Sequence, residues 1–334
     1  MKVFVDPACN INYGSFYVKG LWDLFGRDNV IFTSKYFHSL RYTTQTHCLA
    51  FVISDTRYVI DWADSNEVFY DDFLQWSDVY GKVNYNAACL PGFNREKIKV
   101  ISPNFGIGCF GGNRYQAVII CLSNYWKCFS RLKDGFLSYL SPYLWLYKRS
   151  HIDLNPSVST VGSRTIFMVA RYWQGETAAN NARIAFIRAC NQLNKEGIID
   201  FIGGMVPESV ETDCPEDVMM HEEIPMGRYI ELMEKSLLVF NTPAVHQCHG
   251  WKLPEYLAHG KMILSTPFVN ELPVPMVHGE NIFFVEANEQ SFYNEIKSIV
   301  NDIELQKTLE QGSRRYWDEN VAPDASLRHF IYGR

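Results

Sequence analysis

Strands and helices alternate about five times between residues 164 and 319, and this regularity constrains the fold more than any other feature. Short apolar runs predict strands at residues 164–170, 198–202, 236–241, 261–265 and 282–285. Amphipathic segments predict helices at residues 178–194, 226–233, 254–259, 290–302 and 305–319. Repeated strand–helix units build a parallel sheet with helices on both faces. The second half of the chain is therefore predicted to be a compact α/β unit.

The first half shows the same alternation less regularly. Strands are predicted at residues 2–6, 30–33, 47–53, 57–60 and 97–101. Helices are predicted at residues 17–25 and 116–125, with a longer one at 126–147 broken near Pro142. A segment rich in turn-forming residues at 153–162 is the best candidate for an interdomain linker. At roughly 150 residues per domain, the 334 residues also predict two domains.

Composition excludes several classes of protein. The chain has 31 Lys and Arg residues and 37 Asp and Glu residues, so its net charge is negative. This balance argues against a broad nucleic-acid-binding surface. The nine cysteines are scattered and form no C-x-x-C pair, which indicates reduced thiols rather than a disulfide framework. The sequence shows neither a signal peptide nor an apolar run long enough to span a membrane. We therefore expect a cytoplasmic protein without a nucleic-acid partner.

Two short motifs favour structural interpretations. Gly106, Gly108 and Gly111 match G-x-G-x-x-G, but they lie about a hundred residues after the first strand, so a flexible glycine loop is favoured over a dinucleotide site. His246 and His249 flank Cys248 without the spacing that places two metal ligands on one helix face. We expect no metal and no cofactor.

The segment 241–265 carries the sharpest local signal. Pro254 fits the first turn of a short helix, and Gly260 fits the left-handed position after its end. The stretch 249–253 before this helix would present backbone N–H groups to an anion, with Lys252 adding a full charge and Glu255 accepting hydrogen bonds from hydroxyls. A capped helix without a ligand remains an equal alternative.

From Gly250 onward this segment resembles the E-G-F-G-L-P-x-x-E-A-M-A-x-G-K-P-V-I stretch of GT-B glycosyltransferases. The resemblance implies that Glu255 binds the nucleotide ribose, while Gln247 stands where that family has its first Glu. Residues 166–175 are similar to the family's F-V-G-R-L-x-x-x-K-G, so Arg171 would neutralise the donor diphosphate. The family's lysine is missing there, and we infer that Lys252 supplies the second charge.

The resemblance implies a GT-B fold, an α/β architecture in which two Rossmann-like domains face a central cleft. The expected domains are an acceptor-side domain at 1–155, a nucleotide-sugar-binding domain at 156–318, and a helix at 319–334 that crosses back to the first domain. The expected donor-binding residues are Gly14, Arg171, Gly203, Gly204, Ile224, His249, Gly250, Trp251, Lys252, Leu253 and Glu255.

The implied activity is metal-independent transfer of a hexose from a nucleotide-diphosphate sugar to a glycan or lipid-linked acceptor, in surface polysaccharide or lipopolysaccharide biosynthesis. The competing GT-A fold needs a D-x-D metal motif, and none occurs. Asp61 and Asp64, just past a predicted strand, are the first candidates for a catalytic base, and Asp6 is the other. A sugar-nucleotide epimerase and a non-catalytic nucleotide-sugar-binding module remain alternatives.

Residues 126–150 mix aromatic and basic side chains. Two interpretations stay open for this segment. It forms either a buried helix with a solvated basic edge, or a surface that rests on the anionic inner face of a membrane, where a lipid-linked acceptor would be found.

Overall fold

The computed structural model describes residues 1–43, 46–110, 113–149, 158–209, 211–222 and 224–333. The chain divides into two compact units. Unit 1 comprises Met1–Asp153, Asn270–Val274 and Glu319–Arg334, and unit 2 comprises Leu154–Val269 and Pro275–Asp318. The candidate linker at 153–162 lies outside the described residues up to residue 157, and residues 158–163 form an irregular segment with a turn.

Among the described residues, unit 1 contains a mixed sheet of six strands. They are β1 (Val3–Val5), β2 (Val30–Phe32), β3 (Cys48–Ile53), β4 (Thr56–Asp61), β5 (Val79–Lys82) and β6 (Ile98–Val100). The order across the sheet is β2-β1-β3-β4-β5-β6, with β3 antiparallel to both neighbours and the other pairs parallel. The hairpin between β3 and β4 turns at Ser54 and Asp55, which both have the positive φ that a tight hairpin turn requires.

Among the described residues up to 149, four α-helices accompany this sheet. They are α1 (Ile11–Phe25), α2 (Asp71–Trp76), α3 (Arg114–Cys128) and α4 (Phe136–Lys148). The sequence analysis missed α2 and β5, and its single helix at 126–147 is wrong. The chain leaves helical geometry after Cys128 because the backbone at Arg131 and Lys133 exchanges hydrogen bonds with Tyr42, of 3.3 and 3.1 Å. Pro142 lies inside α4 and does not interrupt it.

Unit 2 follows the predicted alternation closely. Its strands are β7 (Thr165–Tyr172), β8 (Asp200–Pro207), β9 (Leu238–Asn241), β10 (Met262–Ser265) and β11 (Phe283–Phe284). Its helices are α5 (Thr177–Lys195), α6 (Met226–Lys235), α7 (Lys252–Ala258), α8 (Glu289–Asn301) and α9 (Ile303–Tyr316). Each predicted strand and helix of this half is confirmed, with ends that differ by a few residues. The predicted α/β class is confirmed as well.

The strands of unit 2 form parallel ladders. β7 pairs with β8, and β10 pairs with both β9 and β11. The two ladders adjoin where the Leu237 amide donates to the Thr165 carbonyl at 2.7 Å, which places β9 beside β7. Aromatic rings fill the core behind the sheet, with Phe186 stacked on Phe240 at 4.4 Å between centroids and Phe292 edge-on to both. The order across unit 2 is therefore β8-β7-β9-β10-β11.

The last helix, α10 (Pro323–Tyr332), belongs to unit 1 and packs on α1. Gly20 permits this close packing, because a Cβ at that position would come within 2.1 Å of the Pro323 carbonyl oxygen. Phe330 packs against Gly81 of β5 in the same way. Across the described residues of both units, none of the helices has the length and apolarity needed to cross a bilayer.

Candidate functional site

The strand order of unit 2 creates a crevice at a defined place. In doubly wound sheets of this order, ligands bind beyond the carboxyl ends of the strands where the winding direction changes. In unit 2 that switch point lies between β7 and β9. The loops that follow these two strands, residues 173–176 and 242–251, therefore carry the candidate site.

The two loops are connected to each other. Gly175 takes a φ of +89° and turns the chain into α5, while the Asn180 side chain donates to the Trp173 carbonyl at 2.6 Å and so holds the loop after β7. Glu176, just before α5, accepts a hydrogen bond from the His246 amide at 3.3 Å. The loop after β7 thus anchors the loop after β9 at the same edge of the sheet.

The loop after β9 has an unusual backbone. His246 and Gln247 adopt left-handed conformations, with φ of 52° and 61°, and Gly250 follows with a φ of 70°. A short turn in which the Ala244 amide donates to the Cys248 carbonyl at 2.9 Å holds this shape. Left-handed non-glycine residues cost about 1–3 kcal/mol each and are concentrated at ligand sites. The loop is therefore held in a shape that a simple connection would not need.

Helix α7 carries Lys252 and Glu255 in its first turn. The Glu255 residue is only 3% exposed. The Lys252 ammonium turns toward the sheet, donates to the Val169 carbonyl of β7, and lies 6.0 Å from the centroid of the Tyr229 ring. The first turn of α7 therefore directs a charge toward the carboxyl end of β7.

Arg183 on α5 supplies a second buried cation at the same edge. It is 8% exposed, and its Nη1 donates to the Arg171 carbonyl at the end of β7 at 3.0 Å. Burial lowers the pKa of Arg183, although Tyr256, Cys248 and Glu176 oppose this effect. Lys252 is half-buried as a residue, and burial of its ammonium lowers its pKa as well. We call Arg183 and Lys252 the buried cation pair.

The charges of the buried cation pair are electrostatically unfavourable where they lie. The pKa of Lys252 is lowered to about 7: burial is the main cause, the charge of Arg183 adds to it, and Glu255 opposes both without cancelling them. Two cations therefore share a poorly solvated site in which the nearby carboxylates do not compensate them. An anion placed there would stabilise both charged forms.

Polar groups line the exposed side of the switch point. Arg171 is exposed, with its guanidinium 5.9 Å from the centroid of the Trp173 ring. At the ends of β9 and β10, the Asn241 amide donates to the Ser265 hydroxyl at 3.0 Å, and two threonine hydroxyls pair at 2.8 Å. A ligand at this edge would therefore meet a cation, a flat ring and a row of polar groups.

The remaining predicted donor residues of unit 2 occupy different environments. His249 is 3% exposed and packs edge-on against the Phe268 ring at 5.4 Å. Leu253 is fully buried, whereas Gly250, Trp251 and Ile224 are half-buried. Of these residues, Gly250 and Trp251 immediately precede α7, Leu253 lies in its first turn, and Ile224 lies just before α6.

Gly203 and Gly204 lie where small residues are needed for packing, whereas a Cβ at Gly14 would make only ordinary contacts. A Cβ at Gly203 would come within 2.0 Å of the Met168 carbonyl oxygen, and one at Gly204 within 3.0 Å of the Met220 Cβ. Both glycines lie inside β8, before its carboxyl end. Gly14 lies in α1 of unit 1, where a Cβ would be 3.4 Å from the Trp62 ring.

The candidate base Asp61 is enclosed in unit 1. It has no exposed surface, and it accepts from the Tyr80 hydroxyl at 2.6 Å, the Lys82 ammonium at 3.0 Å and the Ala63 amide at 2.7 Å. Lys82 also donates to the Val68 carbonyl at 2.9 Å. A carboxylate with these partners organises the end of β4, and nothing in its geometry directs it toward an acceptor hydroxyl.

Asp6 has a similar environment, and Asp64 does not. The Arg131 guanidinium binds both oxygens of Asp6, at 2.8 and 2.5 Å, and the Ala8 amide donates to it at 3.0 Å. Burial raises the pKa of Asp6, and the Arg131 guanidinium opposes that rise. Asp64 is exposed, so among the three candidates only its position leaves a carboxylate accessible.

The two short motifs behave as structural elements where they are described. The Ser15 hydroxyl accepts from the Ile107 amide at 3.0 Å, and Arg149 donates to the Gly106 carbonyl at 3.0 Å, so this stretch is packed rather than flexible; Gly111 lies outside the described residues. Cys248 is buried while His246 is exposed. Over the described ranges, no group of three potential ligands is placed to hold a metal ion.

The sequence analysis missed Arg183 and Tyr229. Arg183 lies next to Ala182 among the buried residues of α5. A charged residue at a buried position of an amphipathic helix is unusual, and this was the signal that could have identified it. Tyr229 gave no signal, because its contact with Lys252 depends on the packing of α6 beside α7. These two residues complete the surroundings of the Lys252 ammonium.

Comparisons with known proteins give distant structural likenesses. No protein-family model and no curated protein matches the chain. MnaA of S. aureus in a structure with UDP is 13% identical over 99% of this chain and 95% of that one, with a TM-score of 0.47. A glycosyltransferase from Rickettsia africae is 13% identical over 80% of this chain and 68% of that one, with a TM-score of 0.45.

A third likeness involves a single domain. The C-terminal domain of the glycosyl transferase group 1 family protein LpcC from Francisella tularensis is 13% identical over 49% of this chain and 93% of that domain, with a TM-score of 0.36. All three TM-scores lie below 0.5. The function proposed below therefore depends on the charges and the backbone of the switch point.

Proposed function

We propose that the chain is a metal-independent GT-B glycosyltransferase that transfers a sugar from a nucleotide-diphosphate sugar to a glycan or lipid-linked acceptor. The donor binds to unit 2, at the carboxyl ends of β7 and β9. The observation that carries this proposal is the placement of the buried cation pair against backbone carbonyls of β7, where burial disfavours both charges and an anion would stabilise them. A diphosphate is the anion that suits two cations with an exposed third, Arg171, nearby.

The roles follow from position. Arg171 pairs with the diphosphate directly. The buried cation pair, which contacts the backbone of β7, adds positive charge close to the bound diphosphate. Glu255, carboxylate-bearing and buried in the first turn of α7, accepts hydrogen bonds from the ribose hydroxyls. Because the leaving group is a nucleoside diphosphate, groups that stabilise its developing charge lower the barrier without a metal ion.

The candidate residue for activating the acceptor lies in unit 1. An inverting enzyme needs a base within reach of the acceptor hydroxyl. Asp64 is the exposed carboxylate among the three candidates, whereas Asp6 and Asp61 are enclosed in ion pairs. We propose Asp64 for this role and a hexose as the transferred sugar, with the product entering surface polysaccharide or lipopolysaccharide synthesis.

The test is a calorimetric titration with UDP, GDP, ADP and CMP and with their sugars. One nucleoside diphosphate should bind with the tightest affinity, and its sugar should be transferred or hydrolysed. Glu255→Gln should weaken that binding, whereas Glu280→Gln, on an exposed glutamate of unit 2, should not. Equal affinities of the two variants would place the donor elsewhere.

The same incubation separates the alternatives by product. Release or transfer of the sugar supports a glycosyltransferase. Interconversion of two sugar nucleotides without an acceptor supports an epimerase, and tight binding without turnover supports a non-catalytic module.

A further inference from the structure

Helix α3 carries large apolar side chains on its outward face. They are Tyr115, Ile119, Leu122, Trp126 and, one residue past the helix end, Phe129, with exposures of 83%, 64%, 40%, 72% and 51%. We call these five residues the apolar stripe. Contiguous exposed apolar surface of this kind on a folded unit indicates a contact surface.

The spacing of the apolar stripe is regular. Its members follow one another at intervals of four, three, four and three residues, which at about 100° per residue confines them to an arc of about 80°. The opposite face of α3 is the one that packs on unit 1; its buried residues are Ala117, Cys121, Asn124 and Cys128. The stripe therefore adds nothing to the core of unit 1, and its apolar character needs another explanation.

The segment that carries the apolar stripe is rich in positive charge. Residues 113–149 contain six Lys or Arg and one acidic residue, in a chain whose net charge is −6. Arg131 and Arg149 are buried; the four exposed cations of this segment are Arg114, Lys127, Lys133 and Lys148. Leu137, at the start of α4, adds an apolar side chain that is 78% exposed.

We propose that α3 lies flat on an anionic lipid surface, with the apolar stripe inserted at the headgroup level and the four exposed cations facing acidic lipids. Fifteen residues of helix extend about 22 Å, too short to span a bilayer but suited to lying along its surface. Trp and Tyr favour this interface because their rings are apolar and their tips are polar. The surface lies on unit 1 and does not depend on the donor site of unit 2.

Charge argues against a second copy of the chain as the occupant of this surface. Two copies that met through the apolar stripe in a symmetric contact would bring two sets of like cations together. A membrane with acidic headgroups instead supplies the opposite charge, worth about fivefold in binding for each lysine or arginine near the surface.

The test is co-sedimentation of the full chain with phosphatidylcholine vesicles, with and without phosphatidylglycerol. The chain should bind the acidic vesicles more tightly than the neutral ones, and less tightly as salt rises. The double variant Ile119→Ser, Trp126→Ser should weaken binding by about tenfold or more, because the inserted apolar area is lost. The double variant Lys127→Gln, Lys133→Gln should weaken binding by about fivefold for each charge removed.

A matched control is Ile303→Ser, which removes an isoleucine that is 42% exposed on unit 2. It should bind vesicles like the original chain. If the apolar double variant does not fold, the lysine variant decides alone. Failure of the original chain to bind acidic vesicles, unchanged binding of the folded variants, or light scattering that shows a dimer lost in the apolar variant would each overturn the proposal. None of these outcomes bears on nucleotide binding, so the two proposals fail separately.

Discussion

The two units treat buried charge in different ways. In unit 1, Asp6 is joined to Arg131 and Asp61 to Lys82, and each carboxylate accepts further hydrogen bonds from the chain. In unit 2, Arg183 is buried and Lys252 is half-buried, and both donate to backbone carbonyls of β7. Buried pairs that are complete maintain a fold, whereas buried cations that lack full compensation favour an anionic ligand.

Two arginines show the difference most clearly. Burial disfavours the charge of Arg131, but the hydrogen bonds and charge of Asp6 outweigh this effect and raise its pKa. Burial lowers the pKa of Arg183, and the neighbouring groups do not reverse it. Lys261 in unit 2 also has a pKa lowered by burial, to about 8, but Glu310 and Glu234 both face it. Burial alone therefore does not mark a ligand site; Lys252 differs from Lys261 because a second cation, Arg183, lowers its pKa further.

The largest effect is expected from breaking a complete pair in unit 1. Lys82→Met leaves the Asp61 carboxylate buried with one cation fewer, which should lower the free energy of unfolding by about 3–5 kcal/mol. The measurement is urea denaturation. The double variant Lys82→Met, Asp61→Asn should recover much of this loss, because it removes the uncompensated charge. A stable Lys82→Met protein would mean that the pair is not structural and would restore Asp61 as a candidate base.

The next largest effect concerns ligand affinity in unit 2. Glu255→Gln should lower the affinity for the preferred nucleotide by about 1.5–3 kcal/mol, the range expected for hydrogen bonds to a charged group. The free energy of unfolding should change little, in contrast to the variants of unit 1. Calorimetric titration and thermal melting measure the two quantities. A large loss of stability with unchanged affinity would make Glu255 structural, like Asp61.

Lys252→Met tests whether the charge of Lys252 lowers the free energy of unfolding. The pKa of Lys252 is about 7 in the folded chain and about 10.5 in the unfolded chain. Between these two pH values, Lys252 is therefore neutral in the folded chain and protonated in the unfolded chain. Stability of the original chain should therefore rise with pH across that window, and this rise should be absent from the variant. At pH 7 the variant should be more stable by at least about 1 kcal/mol.

Donor binding gives an independent readout of the same lysine. An anionic donor should favour protonated Lys252, so binding should take up protons and weaken as the pH rises above about 7. Titrations of the nucleotide sugar in buffers of different ionisation enthalpy measure the uptake. Lys252→Met should abolish it, and Lys261→Met, the other buried lysine of unit 2, should leave it intact.

The smallest effect is expected from a pair that is not buried. Asp78 binds the Arg57 guanidinium through two oxygens at 2.7 and 3.1 Å on the surface of unit 1. Asp78→Asn should cost about 0.2–1 kcal/mol. The hydrogen bond to Arg57 lowers the pKa of Asp78, so its contribution should be present at neutral pH and lost as the pH falls through that lowered pKa. Acid titration of both proteins by circular dichroism checks this.

Local patterns located the elements of unit 2 well. Pro254 and Gly260 marked the short helix that became α7, and the alternation of apolar residues located all five strands. The antiparallel hairpin of β3 and β4 was not recognised, although both strands were. Val79–Lys82 was missed because a strand containing a glycine and a lysine does not look buried, whereas Lys82 is buried through its pair with Asp61.

The sequence by itself determined the α/β class, the strand–helix order of unit 2 and the placement of Glu255 in the first turn of a short helix, with Lys252 predicted just before it. These depend on residues within a few positions of one another, where periodicity and helix signals act. Only the tertiary structure decided that Asp6 and Asp61 are enclosed in ion pairs, that Arg183 joins Lys252, and that one face of α3 is exposed rather than buried. Asp6 and Arg131 are 125 positions apart, and such pairings follow from how the elements pack, which no local pattern records.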